Sequence, residues 1–134
     1  MRLLCASIYF LVGLVNLAPI LGVAGRKTVE ALYGASIASP ELVFLMQHRA
    51  LMFGIVGGLL IVAVFKPALR TLAIAVSLYS MGSFILLYVA MGVQSPALLK
   101  VCIIDAVAAL LLVSARCLEK RPMALIDVPS SANL

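Results

Sequence analysis

The sequence predicts an all-α integral membrane protein folded as a four-helix bundle. Of its 134 residues, 65% are hydrophobic and only 11% are charged, which leaves too little polar surface to cover a soluble globule. The apolar residues fall into four continuous runs, each close to the roughly 20 residues that an α-helix needs to cross a bilayer. Strands of a membrane β-barrel would be shorter and would alternate apolar with polar residues, so helices are favoured.

The first predicted helix covers residues 3–23. A cleaved signal peptide is the alternative, because Arg2 precedes the run and Gly22-Val23-Ala24 fits a small-x-small cleavage site. The apolar run is longer than the roughly 7 to 15 residues of a signal-peptide core, which favours a retained helix. After it, residues 28–33 are expected to make one or two amphipathic turns on the surface.

The other three helices are predicted over residues 42–65, 69–93 and 98–115. Pro67 lies in the short connection before the third helix, where its fixed φ suits the first helical turn. Residues 116–134 follow as a tail that is basic at first and has the composition of a disordered segment from Asp127 onward. The chain is therefore predicted to hold one transmembrane domain, residues 1–115, and a short tail.

Basic residues at the helix ends predict how the bundle is oriented. The short flanks on one side are richer in positive charge than those on the other, and they carry Arg2, Lys66, Arg70, Arg116, Lys120 and Arg121. Because positive residues accumulate on the cytoplasmic side, we expect both termini to be cytoplasmic, in a multi-pass protein of a bacterial inner membrane. The net charge of +5 is dispersed among helix ends, so the bilayer and not nucleic acid is the expected partner.

Cysteine and histidine are too sparse to indicate a metal site. Cys5, Cys102 and Cys117 are far apart and form no CxxC motif, so they are interpreted as small hydrophobic residues. The single histidine, His48, has no cysteine or carboxylate at helical ligand spacing. We therefore expect neither a metal nor another cofactor.

Two helix starts share a pattern that places two charged residues at one depth. Ser39-Pro40 precedes the second predicted helix and Ser95-Pro96 the fourth, each typical of an N-cap serine followed by proline. Both helices enter the membrane from the same side. Arg49 lies ten residues after the first serine and Asp105 ten after the second, which puts both about 15 Å below the caps, near the middle of the bilayer.

We expect Arg49 and Asp105 to form an ion pair, the buried polar centre of the bundle. A charge near a helix centre costs about 2.5 to 3.5 kcal/mol on insertion scales, and pairing removes most of that cost. Asp105 is expected to face inward, because its helical neighbours Cys102, Ala108 and Ala109 are small and allow another helix to approach.

Other polar residues are predicted on the same half of the bundle and are candidates, with the ion pair, for a ligand site: Asn16, His48, Ser83 and Tyr88. The simpler interpretation is that Asn16 and Ser83 bond the neighbouring backbone, while Tyr88 lies at the membrane interface. A proton relay or ligand contact is the functional role considered for His48. The simpler interpretation of His48 is that it donates one hydrogen bond to a neighbouring residue of its helix.

The second helix also carries a small-residue pattern. Gly54 and Gly58 have the G-x-x-x-G spacing, with Gly57 between them. Small residues at this spacing let two membrane helices approach closely. We therefore expect all three glycines to serve helix packing.

Several short motifs are spread over the chain: Tyr33-Gly34, Pro40-Glu41-Leu42, His48-Arg49, Phe65-Lys66-Pro67-Ala68-Leu69-Arg70 and Asp105. Together they resemble those of small, uncharacterised four-span bacterial inner-membrane proteins near the DoxX-like superfamily. The resemblance extends loosely over most of the chain. It implies a compact four-helix inner-membrane protein and brings no established activity or catalytic residue.

Three functional classes are weighed. No Gly-rich phosphate loop, G-x-S-x-G or H-E-x-x-H occurs, so a membrane-embedded lipid-modifying enzyme is least favoured and no catalytic residue is assigned. A proton-coupled transporter using Asp105 is the alternative, although a neighbouring Arg49 would keep the acid ionised. The favoured expectation is an accessory or structural subunit, or a binder of a lipid-like ligand, with a membrane protein or a second copy as its protein partner.

Overall fold

The computed structural model describes residues 2–33, 36 and 39–120, and the secondary structure in this part of the chain is α-helix and 3-10 helix joined by short turns. Its five α-helices are α1 (Arg2–Leu17), α2 (Arg26–Tyr33), α3 (Pro40–Phe65), α4 (Arg70–Met91) and α5 (Pro96–Lys120). Segments of 3-10 helix at Ala18–Ala24 and Pro67–Leu69 continue α1 and precede α4. Four helical stretches are long and apolar enough to cross a membrane: Leu3–Ala24, Pro40–Phe65, Pro67–Met91 and Pro96–Lys120. The predicted all-α fold is confirmed, and so is the presence of four helical stretches of membrane-spanning length.

The first span changes helix type before it ends. The α-helical hydrogen bonding stops at Leu17 and a 3-10 segment runs on to Ala24, because Pro19 lacks an N–H and its ring clashes with the carbonyl one turn earlier. Gly25 then adopts a φ of 140° and turns the chain into α2. The surface turns predicted over residues 28–33 form part of this helix, which begins two residues earlier, at Arg26.

The two predicted Ser-Pro helix starts are confirmed. Ser39 caps α3, its Oγ accepting a hydrogen bond from the backbone N–H of Leu42 at 3.4 Å. Ser95 caps α5 in the same way, its Oγ accepting from Leu98 N–H at 3.5 Å. Equal residue counts from the two caps therefore correspond to similar depths along the two helices.

The last helix is longer than predicted. Its expected end was Ala115, yet α5 continues to Lys120, so the first residues of the predicted tail are helical. Arg116 and Glu119, one turn apart, are joined by an ion pair of 3.4 Å that supports this last stretch. The disordered segment predicted from Asp127 onward lies outside the described residues.

The four spans form a closed ring. Helix α1 packs against α3, α3 against α4, α4 against α5, and α5 back against α1. Helices α3 and α5 therefore lie on opposite corners of the bundle. The tightly packed apolar core gathers at the end where α1 begins and α5 finishes, and its fully buried members include Tyr9, Leu60, Met81 and Leu112.

Helices α1 and α3 approach closely at Gly13 and Gly57, where an added Cβ would overlap the neighbouring helix. A Cβ at Gly57 would lie 2.6 Å from the carbonyl oxygen of Gly13 and 2.9 Å from the backbone nitrogen of Leu17. Gly54 also packs against α1's extension, since its Cβ would lie 2.7 Å from Ile20 Cδ1. The packing role predicted for Gly58 does not hold within the described chain, because a Cβ there would have no atom within 4 Å.

Candidate functional site

Asp105 is a buried acid on the inner face of α5. Only 7% of the residue is exposed, and it shares its face with the buried Cys102 and Ala108. The predicted inward orientation of Asp105 is therefore confirmed. Among the described residues, no hydrogen-bond donor reaches its Oδ2 atom. Burying an acceptor without a hydrogen-bond partner costs free energy of folding. A bound group that donates a hydrogen bond to this oxygen would recover part of that cost.

A cavity of about 190 Å³ lies beside this carboxylate. Its polar lining consists of Asn16 from α1, Arg49 from α3 and Asp105 from α5. The remaining lining is apolar, from Val15, Ala18, Pro19, Phe53, Val101 and Ile104. We call it the central cavity. Three helices that follow one another around the ring thus contribute one polar group each.

The predicted direct ion pair between Arg49 and Asp105 is not formed. No ion pair within 4 Å joins Arg49 to Asp105 in the described residues, whereas Glu119 forms such pairs with Arg70 and Arg116. Asp105 Oδ2 accepts no hydrogen bond there. The reason is the helix order, since α3 and α5 lie across the bundle diagonal and the central cavity opens between them. The matching positions of Arg49 and Asp105 along their helices were predicted correctly, but the direct contact between the two side chains was not.

Arg49 instead lies against aromatic rings. Its guanidinium carbon is 4.6 Å from the centre of the Phe84 ring and 5.2 Å from that of Phe53, distances typical of cation–π contact. Arg49 and Phe53 also line a second cavity of about 300 Å³ between α3 and α4, with Met52, Ser80, Ser83, Phe84 and Leu87. Arg49 therefore stands between two cavities.

The remaining predicted site residues divide into two groups. Asn16 is buried and donates from Nδ2 to Val12 O at 2.9 Å, and Ser83 donates to Ser80 O at 2.9 Å. Their predicted bonds to neighbouring backbone are confirmed, and each also lines one of the two cavities. His48 is exposed and Tyr88 half-buried, and neither lines the central cavity or the second cavity. The structure thus separates these two from the polar centre.

A second polar group, missed by the sequence reasoning, closes the opposite end of the bundle. Its centre is Glu119 of α5, whose carboxylate accepts hydrogen bonds from Tyr9 Oη at 2.9 Å, Arg70 Nη1 at 2.6 Å and Arg116 Nη1 at 3.4 Å. Arg70 also donates to the carbonyls of Ala63 and Val64, at 3.1 and 3.3 Å. These bonds connect α1, α3, α4 and α5. We call this set of residues the Glu119 network.

One feature of the sequence indicates the Glu119 network, namely an acidic residue among basic ones at the end of the last apolar run. Arg70 and Arg116 were interpreted as orientation signals, yet Glu119 is an acid set between basic neighbours at the end of a span. An acid in that position is a candidate partner for arginines on neighbouring helix ends. Which arginines it meets depends on the helix order, which the sequence does not show.

The fold is an all-helical bundle in which four helical stretches are long and apolar enough to cross a membrane. Comparison of the chain with protein-family models, curated proteins and solved structures finds no match. The resemblance to the DoxX-like superfamily stays a prediction. The geometry of the site is therefore the basis for proposing a function.

Proposed function

We propose that the chain is a multi-pass membrane protein that binds a lipid-like ligand in the central cavity. The observation that carries the proposal is that Asp105 lines this cavity while its buried Oδ2 has no hydrogen-bond donor among the described residues. A ligand hydroxyl or amine would donate to it in a charge-assisted bond, the stronger class of hydrogen bond. The mostly apolar lining supports a ligand whose other atoms are hydrocarbon.

The rim of the cavity supports entry from the bilayer. Val15 on α1 and Ile104 on α5 line the cavity and are each 48% exposed, on surfaces that would face lipid in a membrane-spanning bundle. A ligand dissolved in the membrane would therefore reach Asp105 between α1 and α5 without crossing water.

The volume sets the size of the group that fits. A cavity of about 150 Å³ holds benzene in a well-known engineered protein, so 190 Å³ suits a substituted ring or a small polar head with a few carbons. The rest of a longer ligand would extend through the rim into the bilayer. Within this proposal, the protein is accessory in character: it holds a ligand and has no assigned catalytic residue.

The test compares two probes of nearly equal size, 4-propylphenol and propylbenzene, which differ in one hydroxyl donor. We expect the phenol to stabilise the purified protein against thermal unfolding more than the hydrocarbon does. Asp105→Leu removes the acceptor and should abolish this preference, while Asp105→Asn should weaken it, because a neutral acceptor makes the weaker bond. Equal stabilisation by both probes in the unchanged protein would refute the proposal.

The matched control is Ser77→Ala. Ser77 Oγ is the other described buried side-chain atom with no hydrogen-bond partner, and Ser77 lines neither the central nor the second cavity. Its substitution should leave the preference for the phenol unchanged. Loss of the preference in both variants would point to a general effect of core polarity and not to a ligand site at Asp105.

Proton-coupled transport is the second candidate, favoured by one observation. Asp105 is a buried acid whose Oδ2 accepts no hydrogen bond in the described residues, and acids inside a membrane-spanning bundle are a recognised part of proton pathways. Liposomes holding the protein and a pH-sensitive dye would test it. Proton flux that depends on added solute and disappears in Asp105→Asn supports transport, and absence of flux with retained phenol binding supports a binding protein.

Residence in a bacterial inner membrane with cytoplasmic termini is part of the proposal. The basic residues in short flanks on one side support the orientation. A second copy or another membrane protein is the protein partner expected for an accessory subunit. Mass spectrometry of the protein extracted in native lipid tests this, because a stoichiometric partner would remain bound.

A further inference from the structure

A third cavity lies at the end of the bundle where the Glu119 network is found. It encloses about 460 Å³ and is lined by Pro67, Arg70, Arg116 and Glu119. In contrast to the central cavity, its lining is dominated by charged side chains. It also lies where α3 ends, α4 begins and α5 ends, at the boundary between the spans and the water beyond them.

The arginines of this cavity carry more donors than the network uses. A guanidinium has five N–H groups. Within the described part of the chain, Arg70 makes three hydrogen bonds, to Glu119, Ala63 O and Val64 O. Arg116 makes two, to Glu119 and to Thr71 Oγ1 at 2.8 Å. Both guanidinium groups therefore keep N–H donors for an acceptor in the cavity.

The carboxylate of Glu119 is already paired with its neighbours, and the cavity lining carries a net positive charge. Both carboxylate oxygens of Glu119 accept hydrogen bonds, Oε1 from Arg70 and Oε2 from Tyr9 and Arg116. Two arginines against one carboxylate give the lining one net positive charge. Two exposed lysines, Lys66 before α4 and Lys120 at the end of α5, extend this positive surface. The expected occupant is an anion that accepts several hydrogen bonds at once, the property of a phosphate group.

The surroundings indicate that this phosphate belongs to a lipid. Phe65, two residues before Pro67, is 77% exposed, and Leu72, two residues after Arg70, is 54% exposed, so exposed apolar side chains lie close in sequence to two residues that line the charged cavity. A lipid places a phosphate at the membrane boundary and acyl chains against such surface. Basic pockets between spans are a recognised type of site for anionic headgroups. We propose that the cavity of Pro67, Arg70, Arg116 and Glu119 binds the phosphate of an anionic lipid.

Native mass spectrometry of the full-length protein tests this site, with phosphatidylglycerol and phosphatidylcholine added separately from detergent. The unchanged protein should retain one phosphatidylglycerol at a concentration about tenfold below that needed for phosphatidylcholine. Arg116→Gln should remove most of this preference, a loss of about tenfold for one or two charge-assisted hydrogen bonds. Lys100→Gln is the matched control, because Lys100 is exposed near the other end of the same helix and its replacement removes the same charge.

The other outcomes each decide the proposal. Equal retention of the two lipids by the unchanged protein overturns it, as does an equal effect of Arg116→Gln and Lys100→Gln. Release of bound phosphatidylglycerol by an equimolar amount of inorganic phosphate assigns the site to a free anion and overturns the lipid assignment. If Arg116→Gln fails to fold, Arg116→Lys keeps the charge but loses the planar fork, and an undiminished lipid preference in that variant contradicts binding by the guanidinium.

Discussion

Replacing Gly57 with alanine tests the close contact between α1 and α3. The added Cβ would lie 2.6 Å from Gly13 O, about 0.8 Å nearer than the 3.4 Å at which ordinary van der Waals contact begins. It would also lie 2.9 Å from Leu17 N. Both atoms belong to the backbone of the neighbouring span, so no side-chain rotation relieves the overlap and α1 must move away from α3.

The free-energy cost follows from overpacking. Extra carbon in a well-packed interior costs about 1 to 3 kcal/mol, and two backbone contacts place Gly57→Ala in the upper part, about 2 to 3 kcal/mol. Alanine also gains about 0.5 to 1 kcal/mol over glycine as a helix former. Gly58→Ala receives the same gain with no overlap, because a Cβ at Gly58 has no atom within 4 Å. The difference between the two variants therefore measures overpacking separately from helix propensity.

The assay is equilibrium unfolding of the purified variants in mixed detergent and sodium dodecyl sulfate micelles, followed by circular dichroism. We expect Gly57→Ala to lower the free energy of unfolding by about 2 to 3 kcal/mol relative to Gly58→Ala. Equal free energies of unfolding for the two variants would show that α1 and α3 do not approach at Gly57. The described packing of the first two spans would then be wrong.

The remaining predictions concern the Glu119 network and the orientation. Glu119→Gln should lower the free energy of unfolding by about 1 to 3 kcal/mol, because it removes a charged acceptor from two arginines. The control Lys100→Gln, at an exposed residue, should change it by less than about 0.5 kcal/mol, and similar losses in both would argue against the network. A membrane-impermeant maleimide should label the exposed Cys117 only after intact cells are permeabilised, since α5 is expected to end in the cytoplasm. Labelling of intact cells would reverse the proposed orientation.

Much of the fold was predictable because each long helix has a recognisable local sequence pattern. The length of the apolar runs follows from bilayer thickness, and the two Ser-Pro starts follow from the chemistry of helix capping. The structure differs from the prediction at the ends of two helices, where sequence pattern is a weak guide to the last helical residue. Pro19 converts the end of the first span to 3-10 helix, and Arg116 and Glu119 extend the last one.

The candidate site was predictable only in part. Burial of Asp105 and Asn16 follows from the cost of polar groups in lipid, which makes them face the bundle interior. His48 and Tyr88 were grouped with them by depth, yet they line neither cavity. Depth comes from counting residues along a helix, whereas the direction of a side chain around the helix depends on which neighbour it meets.

The sequence by itself determined the all-helical fold class, the presence of four apolar helices long enough to cross a membrane, and the matching positions of Arg49 and Asp105 along their helices. These features depend on apolar composition and on helical rise. Only the tertiary structure decided the order of the helices around the ring. With α3 and α5 on the diagonal, Arg49 and Asp105 line one cavity in place of the expected ion pair. The same order brings Tyr9, Arg70 and Arg116 to Glu119. Contacts between distant segments follow from packing the whole chain, which local sequence pattern does not specify.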